Sequence, residues 1–346
     1  MIRVQNIYHM LAYAFRALQA KSYADVAAEE FDNAADLCAE ILAIGVGTQL
    51  KRGLGREYAE RSDALSSPRG KIAVTESVKT RSVLRRQLVC SYDELTVDTR
   101  MNRVLKATMR LLLRSDIYAG RKRELKRLLA YFADVGDVDL ATVDWNMRFT
   151  RENQTYRMLM NVCWLVAKGL LQTQGDGTVR LLDFFDDQRM SRLYEKFILE
   201  YYRKEHPELN AAASYIPWAL DDGFSDMLPA MKSDITLSQG STVLIIDAKY
   251  YTHTLQQQFD KAAVHSGNLY QIFAYVKNKE AELSGTPHEV SGMLLYAATD
   301  ENVQPDGIYH MSGNKISVRT LDLDRPFDEI KVQLDGIVQE HFRNLL

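Results

Sequence analysis

The chain has 346 residues, of which 46% are hydrophobic and 26% are charged, and its formal net charge is -3. This composition is typical of a globular protein and excludes a disordered one, and the length favours two domains over one. The slightly negative charge gives no overall attraction to nucleic acid, so any DNA binding must be local.

The N-terminal segment carries polar residues where a secretory signal would be apolar. Arg3, Gln5, Asn6, His9 and Arg16 interrupt it, and no apolar run approaches the roughly 20 residues that span a bilayer. The cysteines are odd in number and widely spaced, which favours neither a disulfide framework nor a zinc site. We therefore expect a cytoplasmic protein with reduced cysteines.

The first half of the chain alternates helical patterns with one β-like stretch. Helices are expected near residues 6–20 and 34–50, and short strands in R-E-Y-A-E-R, K-I-A-V-T-E-S-V and Q-L-V-C-S-Y between Gly53 and Leu95. Further helices are expected near residues 99–115, 121–132 and 152–173. Gln-Gly-Asp-Gly at residues 174–177 is the clearest linker. We therefore predict an N-terminal domain of mixed helices and short strands over residues 1–175, and a second domain over residues 176–346.

One predicted helix carries a basic stripe, which consists of Arg103, Lys106, Arg110 and Arg114. These cations recur at helical spacing, opposite an apolar face that includes Val104 and Leu111. They could neutralise DNA phosphates, dock on an acidic partner surface, or be the solvated side of the helix. The sequence leaves these three uses open.

The second domain opens with a helix over residues 191–202, followed by a β-hairpin. Runs at residues 231–237 and 242–251 flank a turn that contains Gly240. We predict that Asp234 lies on the first strand of the pair. Side chains alternate along a strand, so Asp247 and Lys249 are expected on the same face.

Two aspartates and a lysine on a hairpin suit phosphodiester hydrolysis. Asp234 and Asp247 could hold one or two Mg²⁺ ions, because Mg²⁺ prefers oxygen ligands and keeps several waters. Lys249 would orient or deprotonate the attacking water and offset phosphate charge. Glu195 on the preceding helix is a candidate third acidic ligand. The alternative is an ordinary salt bridge at the edge of the sheet.

A helix beginning near Gly267 follows the hairpin. Leu269, Ile272, Phe273 and Val276 form its apolar stripe, whereas Gln271 and Tyr275 are four residues apart and share another face. We expect these two to reach the same phosphate; the alternative is an exposed glutamine and a packed tyrosine. Strands near residues 290–297, 307–310 and 316–321 and a helix after Pro326 complete the chain.

The order of these motifs resembles the PD-(D/E)xK nuclease core of the RecB-like type. It consists of a helix with Glu195, a strand with Asp234, a strand with Asp247-Ala248-Lys249, and a helix with Q-x-x-x-Y. The proline of the pattern is replaced by Ser233. Longer segments are similar to the McrC family, the nuclease subunits of McrBC modification-dependent restriction systems. They are V-Q-N-I-Y-H-M-L-A-Y-A-F at residues 4–15, K-R-G-L at 51–54, R-G-K-I at 69–72, N-R-V-L-K at 102–106, and S-D-I-T-L with L-I-I-D-A-K-Y-Y in the hairpin.

The resemblance implies an α/β fold with a restriction-endonuclease-like core, a mixed sheet flanked by helices. It also implies Mg²⁺ as cofactor and a McrB-like hexameric AAA+ GTPase as partner, which recognises methylated DNA and translocates it. The N-terminal half would dock on that ring and stimulate GTP hydrolysis, and the chain itself shows no phosphate-binding loop. Two other functions stay open: a non-catalytic adaptor that activates a motor, and a PD-(D/E)xK nuclease that acts alone.

Overall fold

The computed structural model describes residues 2–24, 26, 29, 31, 33–150, 154–173, 187–251, 255–258 and 261–342. Contacts along the chain divide it into two compact units. Unit A comprises Met1–Ala34 together with Val179–Leu346, and unit B comprises Ala35–Thr178. None of the helices in the described residues is long and apolar enough to cross a membrane.

The helices and strands of the described residues alternate along the chain. The α-helices are α1 (Val4–Ala14), α2 (Ala34–Arg52), α3 (Val74–Lys79), α4 (Arg100–Leu113), α5 (Ala119–Leu129), α6 (Gln154–Thr173), α7 (Asp187–Glu205), α8 (Ser266–Glu282) and α9 (Phe327–His341). The strands are β1 (Glu57–Leu65), β2 (Lys71–Ile72), β3 (Leu88–Thr96), β4 (Tyr215–Ile216), β5 (Met231–Lys232), β6 (Ile235–Gln239), β7 (Thr242–Lys249), β8 (Leu255–Gln258), β9 (Lys261–Val264), β10 (Glu289–Ala297), β11 (Gly307–Met311) and β12 (Asn314–Leu321). Short 3-10 helices lie at Arg16–Gln19, Lys21–Tyr23, Ser82–Arg85, Ala130–Phe132 and Pro207–Leu209.

Unit B joins α-helices to a small antiparallel sheet in which β3 lies between β1 and β2. The strand predicted through K-I-A-V-T-E-S-V is wrong after Ile72, because the chain turns into α3. Ser77 explains the change: its buried hydroxyl donates to the Ala73 carbonyl (2.9 Å) and accepts from the Val89 amide (2.8 Å). The hydroxyl therefore meets β3 where a longer strand would have paired.

Unit A is built on a mixed sheet in the order β11-β12-β10-β7-β6. The central strand β10 runs parallel to β7 and β12, whereas β6 and β11 pair antiparallel with their neighbours. Helix α8 covers one face, where Ile272 and Val276 join the hydrophobic core. A Cβ added at Gly292 would lie 2.8 Å from Val276 Cγ2 and 2.9 Å from Ile272 Cγ1, so the missing side chain lets the helix approach. The predicted α/β fold with a mixed, helix-flanked sheet is confirmed.

The first strand of the predicted hairpin is interrupted in the structure. Met231–Lys232 pairs with β4, whereas Ile235–Gln239 pairs with β7. Asp234 therefore lies at the break between two strands, and its predicted place on a paired strand is wrong. The Ser233 amide donates to the Ser214 carbonyl (2.9 Å), which continues the pairing of β5 with β4, and Thr236 pairs with Ala212 just after Asp234. A proline at this position could not donate this bond.

Helix α1 belongs to unit A, so the compact units differ from the predicted division at residue 175. Asn6 is buried in unit A, and its side-chain amide donates to the carbonyls of Leu323 and Arg325, each at 2.8 Å. The helix ends at Ala14, earlier than predicted, and short 3-10 turns follow it. The linker predicted at residues 174–177 lies outside the described residues.

Candidate active site

Asp247 and Lys249 lie at the end of β7 and point to the same face, as predicted. The strand is buried from Val243 to Ala248, and only 2% of the Asp247 side chain is exposed. The Lys249 Nζ lies 2.7 Å from Asp247 Oδ2, and the lysine side chain is 13% exposed. A nearly buried ion pair at the end of a strand is costly unless further groups use its charge.

Asp234 completes the carboxylate pair from the break between β5 and β6. Its Oδ2 accepts a hydrogen bond from the Ala248 amide at 3.0 Å, which places it beside Asp247. Burial, followed by repulsion from the carboxylates of Asp247 and Glu195, raises the pKa of Asp234 to about 8. The site therefore concentrates negative charge that a cation would relieve.

Glu195 on α7 belongs to the same electrostatic cluster. Its Oε1 accepts from the Ser191 hydroxyl at 3.0 Å, and burial raises its pKa although Lys249 opposes the shift. Over the described part of the chain, no three His, Cys, Asp or Glu side chains are gathered as a ready metal site. Asp234 and Asp247 are nevertheless a suitable pair, because Mg²⁺ is commonly held by one or two carboxylates and waters.

Gln271 and Tyr275 share one face of α8, and the structure brings them to the lysine. Lys249 Nζ donates to Gln271 Oε1 (3.2 Å), and Gln271 Nε2 donates to the Tyr275 hydroxyl (2.9 Å). Tyr275 lies in the hydrophobic core and is 8% exposed. The tyrosine therefore fixes the glutamine, and the glutamine holds the lysine.

The charge on Lys249 is stabilised by its neighbours. Burial lowers the pKa of Lys249, but the carboxylates of Asp247 and Asp234 outweigh burial, and the pKa is raised overall. A lysine that keeps its proton is suited to attracting a phosphate and orienting a water.

Three residues beside Lys249 escaped the sequence analysis: Tyr251, Asn268 and Tyr296. Asn268 hydrogen-bonds to both tyrosines. Its spacing contained a signal, because Asn268 precedes Gln271 by three residues and Tyr275 by seven and so lies on the same helical face. Tyr296 carried no such signal, since it reaches the site from another strand.

The basic stripe lies on α4 in unit B, and its first two cations are paired internally. Arg103 binds Asp98 with two nitrogens, each 2.6 Å from a carboxylate oxygen. Lys106 is only 9% exposed, donates to the Val135 carbonyl and lies 3.0 Å from Asp137 Oδ1. Lys106 is therefore buried and neutralised, whereas the Arg103 side chain is paired with Asp98 but 42% exposed.

The last two cations of the stripe are more accessible. Arg110 is 48% exposed but lies 2.6 Å from the same Asp137 oxygen, and Arg114 is exposed. Any docking or DNA contact by the stripe would rest mainly on Arg110 and Arg114, with the partly exposed Arg103 next to them.

Comparison with known proteins identifies the family. The family model described as McrBC 5-methylcytosine restriction system component matches residues 4–297. The chain belongs to this family. The McrBC resemblance inferred from the motifs is thereby confirmed.

Similarity to individual McrBC proteins covers almost the whole chain. The type IV methyl-directed restriction enzyme EcoKMcrBC of Escherichia coli K12 is 27% identical over 99% of both sequences. A chain from the half-complex of the tetradecameric assembly of Thermococcus gammatolerans McrB AAA+ hexamers with bound McrC gives a TM-score of 0.51 at 18% identity. That match covers 97% of this chain and 76% of the other, and it shows a shared fold.

Proposed function

We propose that this chain is the endonuclease subunit of a McrBC-type modification-dependent restriction complex and hydrolyses DNA phosphodiesters. One observation carries the proposal: at the end of β7, Lys249 is held between Asp247 Oδ2 and Gln271 Oε1, with Asp234 alongside. A structural ion pair would need neither the second carboxylate nor the glutamine. Family membership supports the same activity.

Mg²⁺ is the cofactor that this donor set suits. Asp234 and Asp247 would hold it, with Glu195 at the edge of the cluster. When bound, the ion would supply a more acidic water and stabilise charge on the attacking and leaving oxygens. The raised pKa of Asp234 supports the assignment, because it reflects burial first and then crowding by neighbouring carboxylates, and a divalent cation would offset both.

The side chains around the carboxylates would bind the phosphate and orient the attacking water. Lys249 would contact the scissile phosphate, offset its charge and orient the attacking water. Gln271 would keep the lysine ammonium in place, since its Oε1 accepts from Nζ while Tyr275 holds its Nε2. Deprotonation of the water by Lys249 is disfavoured, because neighbouring carboxylates raise the lysine pKa.

We further propose that the chain works with a McrB-like AAA+ GTPase hexamer. This rests on the E. coli relative, a methyl-directed restriction enzyme, and on the shared fold with a chain of an McrB–McrC assembly. The partner would recognise methylated DNA and translocate it, and unit B would dock on the ring and stimulate GTP hydrolysis. Because the substrate is DNA inside the cell, the complex would act in the cytoplasm.

Reconstitution tests the proposal. The chain is mixed with its AAA+ partner, GTP, Mg²⁺ and methylated DNA, and cleavage and GTP turnover are measured. We expect cleavage only when all components are present. Stimulated GTP turnover without cleavage would instead identify a non-catalytic adaptor, and cleavage by the isolated chain would identify a nuclease that acts alone.

A further inference from the structure

A buried hydrogen-bonded cluster lies next to the proposed nuclease site. It consists of Tyr251 after β7, Asn268 in the first turn of α8, and Tyr296 on β10. The Tyr251 hydroxyl donates to Asn268 Oδ1 at 3.3 Å, and Asn268 Nδ2 donates to the Tyr296 hydroxyl at 2.9 Å. One carboxamide therefore joins three separate elements.

Burial restricts this cluster to one arrangement. Tyr296 is fully buried and Asn268 is 8% exposed. A buried amide or phenol that loses its partner costs free energy, so the three groups hold one another in a single arrangement. The rings of Tyr251 and Tyr296 also pack together, with centroids 6.2 Å apart.

The cluster lies on the elements that carry Lys249 and Gln271. Tyr296 is the register partner of Lys249 between the parallel strands β10 and β7, so the two side chains leave the sheet on the same face. Tyr251 follows Lys249 by two residues, and Asn268 precedes Gln271 by three on the same face of α8. The elements that carry the lysine and its glutamine are thus tied together by Asn268.

We infer that Asn268, acting with Tyr296, is a positioning residue for the nuclease reaction. It fixes the first turns of α8 against β7 and β10, and so sets the distance between Gln271 Oε1 and Lys249 Nζ. It touches neither substrate nor cofactor in this role. The inference rests on the proposed nuclease function and extends it to residues outside the D-x-K and Q-x-x-x-Y motifs.

The test uses the reconstituted complex with single-turnover cleavage of methylated DNA. Asn268→Ala removes the carboxamide, and Tyr296→Phe removes one hydroxyl while keeping the ring. Each variant should cleave about 10- to 100-fold more slowly, the usual cost of losing a supporting contact behind a catalytic group. GTP turnover should stay within about twofold of wild type, because only positioning is lost. DNA affinity, measured without Mg²⁺ so that no cleavage occurs, should stay within the same range.

A matched control lies on the same helix. Asn278 accepts from the Ala219 amide (2.7 Å) and donates to the Ala274 carbonyl (2.8 Å), neither of which belongs to the cluster. Asn278→Ala should cleave at the wild-type rate even if it lowers Tm. The double variant Asn268→Ala/Tyr296→Phe should be no slower than the slower single variant, because both changes break the same hydrogen bond.

The outcomes separate this inference from the proposed function. If the wild-type complex cleaves DNA and Asn268→Ala and Tyr296→Phe cleave equally fast, only the positioning role is overturned. It is also overturned if Asn278→Ala slows cleavage as much, or if assembly and GTP turnover fall together with cleavage. If the wild-type complex does not cleave, the nuclease function and the positioning role are both rejected.

Discussion

Asp247 and Lys249 are bound to each other with little solvent around them, which decides how their roles should be tested. Truncating one partner would leave the other charge buried and unpaired, a change that can cost about 3–5 kcal/mol. An alanine variant at either position would lose activity both by destabilising the fold and by removing the catalytic group, and a cleavage assay would not separate the two causes. Amide replacements also remove the charge, but they leave no cavity and keep polar atoms that can hydrogen-bond to the remaining partner, so they disturb folding less.

The first prediction concerns cleavage by such variants. Asp247→Asn and Asp234→Asn should lower cleavage by the reconstituted complex at least about 10²-fold, because each removes a proposed metal-binding charge. Lys249→Gln should behave alike, whereas Gln271→Ala should be milder because the glutamine positions the lysine. Asp226→Asn in the exposed segment after β4 is the control and should cut normally. Wild-type cleavage by Asp247→Asn would refute the site.

The second prediction concerns the stability of the metal-free protein. The pKa of Asp234 is raised by folding, so its contribution to stability is complete below the unfolded pKa and is lost as pH rises toward about 8. At pH 8 in EDTA, Asp234→Asn should therefore raise Tm, by roughly 2–4 °C for each kcal/mol of relieved repulsion. Mg²⁺ should raise the wild-type Tm more than that of the variant. An equal or lower Tm for the variant in EDTA would show that folding does not raise the pKa of Asp234.

At the scale of elements, the packing of α8 against the sheet sets the position of Gln271 relative to Lys249. A Cβ at Gly292 would press on Ile272 and Val276, and stiff branched side chains give way only if the helix moves.

The third prediction follows from this contact. Gly292→Ala should lower stability by about 1–3 kcal/mol, the usual cost of overpacking, and should slow cleavage because Gln271 moves away from Lys249. Adding Val276→Ala should restore part of both losses. Gly336→Ala in α9 meets open space, so it should leave cleavage unchanged and raise stability by roughly 0.5–1 kcal/mol. Thermal unfolding and cleavage rates decide the matter, and a neutral Gly292→Ala would contradict the close approach.

The fourth prediction concerns the basic stripe on α4. Arg110 and Arg114 are the exposed members of the stripe, so they are the best placed to meet a partner surface. Replacing both with Ala should weaken assembly with the AAA+ ring and reduce its salt dependence. The salt slope of DNA binding should not change. A slope lower by roughly 0.9 per lost cation, with assembly intact, would assign the stripe to DNA instead.

At the scale of the whole molecule, the N-terminal segment is part of the unit that contains the site. Arg3 and Asn6 both bond to the chain near Leu323, and the Tyr13 hydroxyl donates to Glu205 at 2.8 Å. Cutting the chain at the predicted boundary near residue 175 would remove this segment and expose the apolar surface that it covers.

The fifth prediction is that a fragment of residues 179–346 unfolds at lower temperature and denaturant than the intact chain. Adding residues 1–34 as a peptide should raise its Tm, because binding to the folded state stabilises it. Residues 35–178 alone should stimulate GTP turnover by the AAA+ partner, whereas the complemented fragment should not. A fragment of residues 179–346 as stable as the whole chain would show that α1 contributes little.

Several features of the site were already determined by the sequence. Strand alternation places Asp247 and Lys249 on one face, and helical spacing places Gln271 beside Tyr275. The motifs from Val4 to Phe15 and around Asp247 identified the family. These features depend on residues close together in the chain, where the geometry of one helix or strand fixes their relation.

Tertiary structure decided the features that depend on distant partners. Asp234 lies at a break because the residues before it pair with β4 and those after it pair with β7. Asn268 meets Tyr296, 28 residues later, because that tyrosine arrives on another strand of the sheet. The membership of α1 in unit A depends on Asn6 meeting Leu323, 317 residues away. Periodicity reports which face of an element is apolar, but it does not say which element will cover that face. That choice is made only when the whole chain packs.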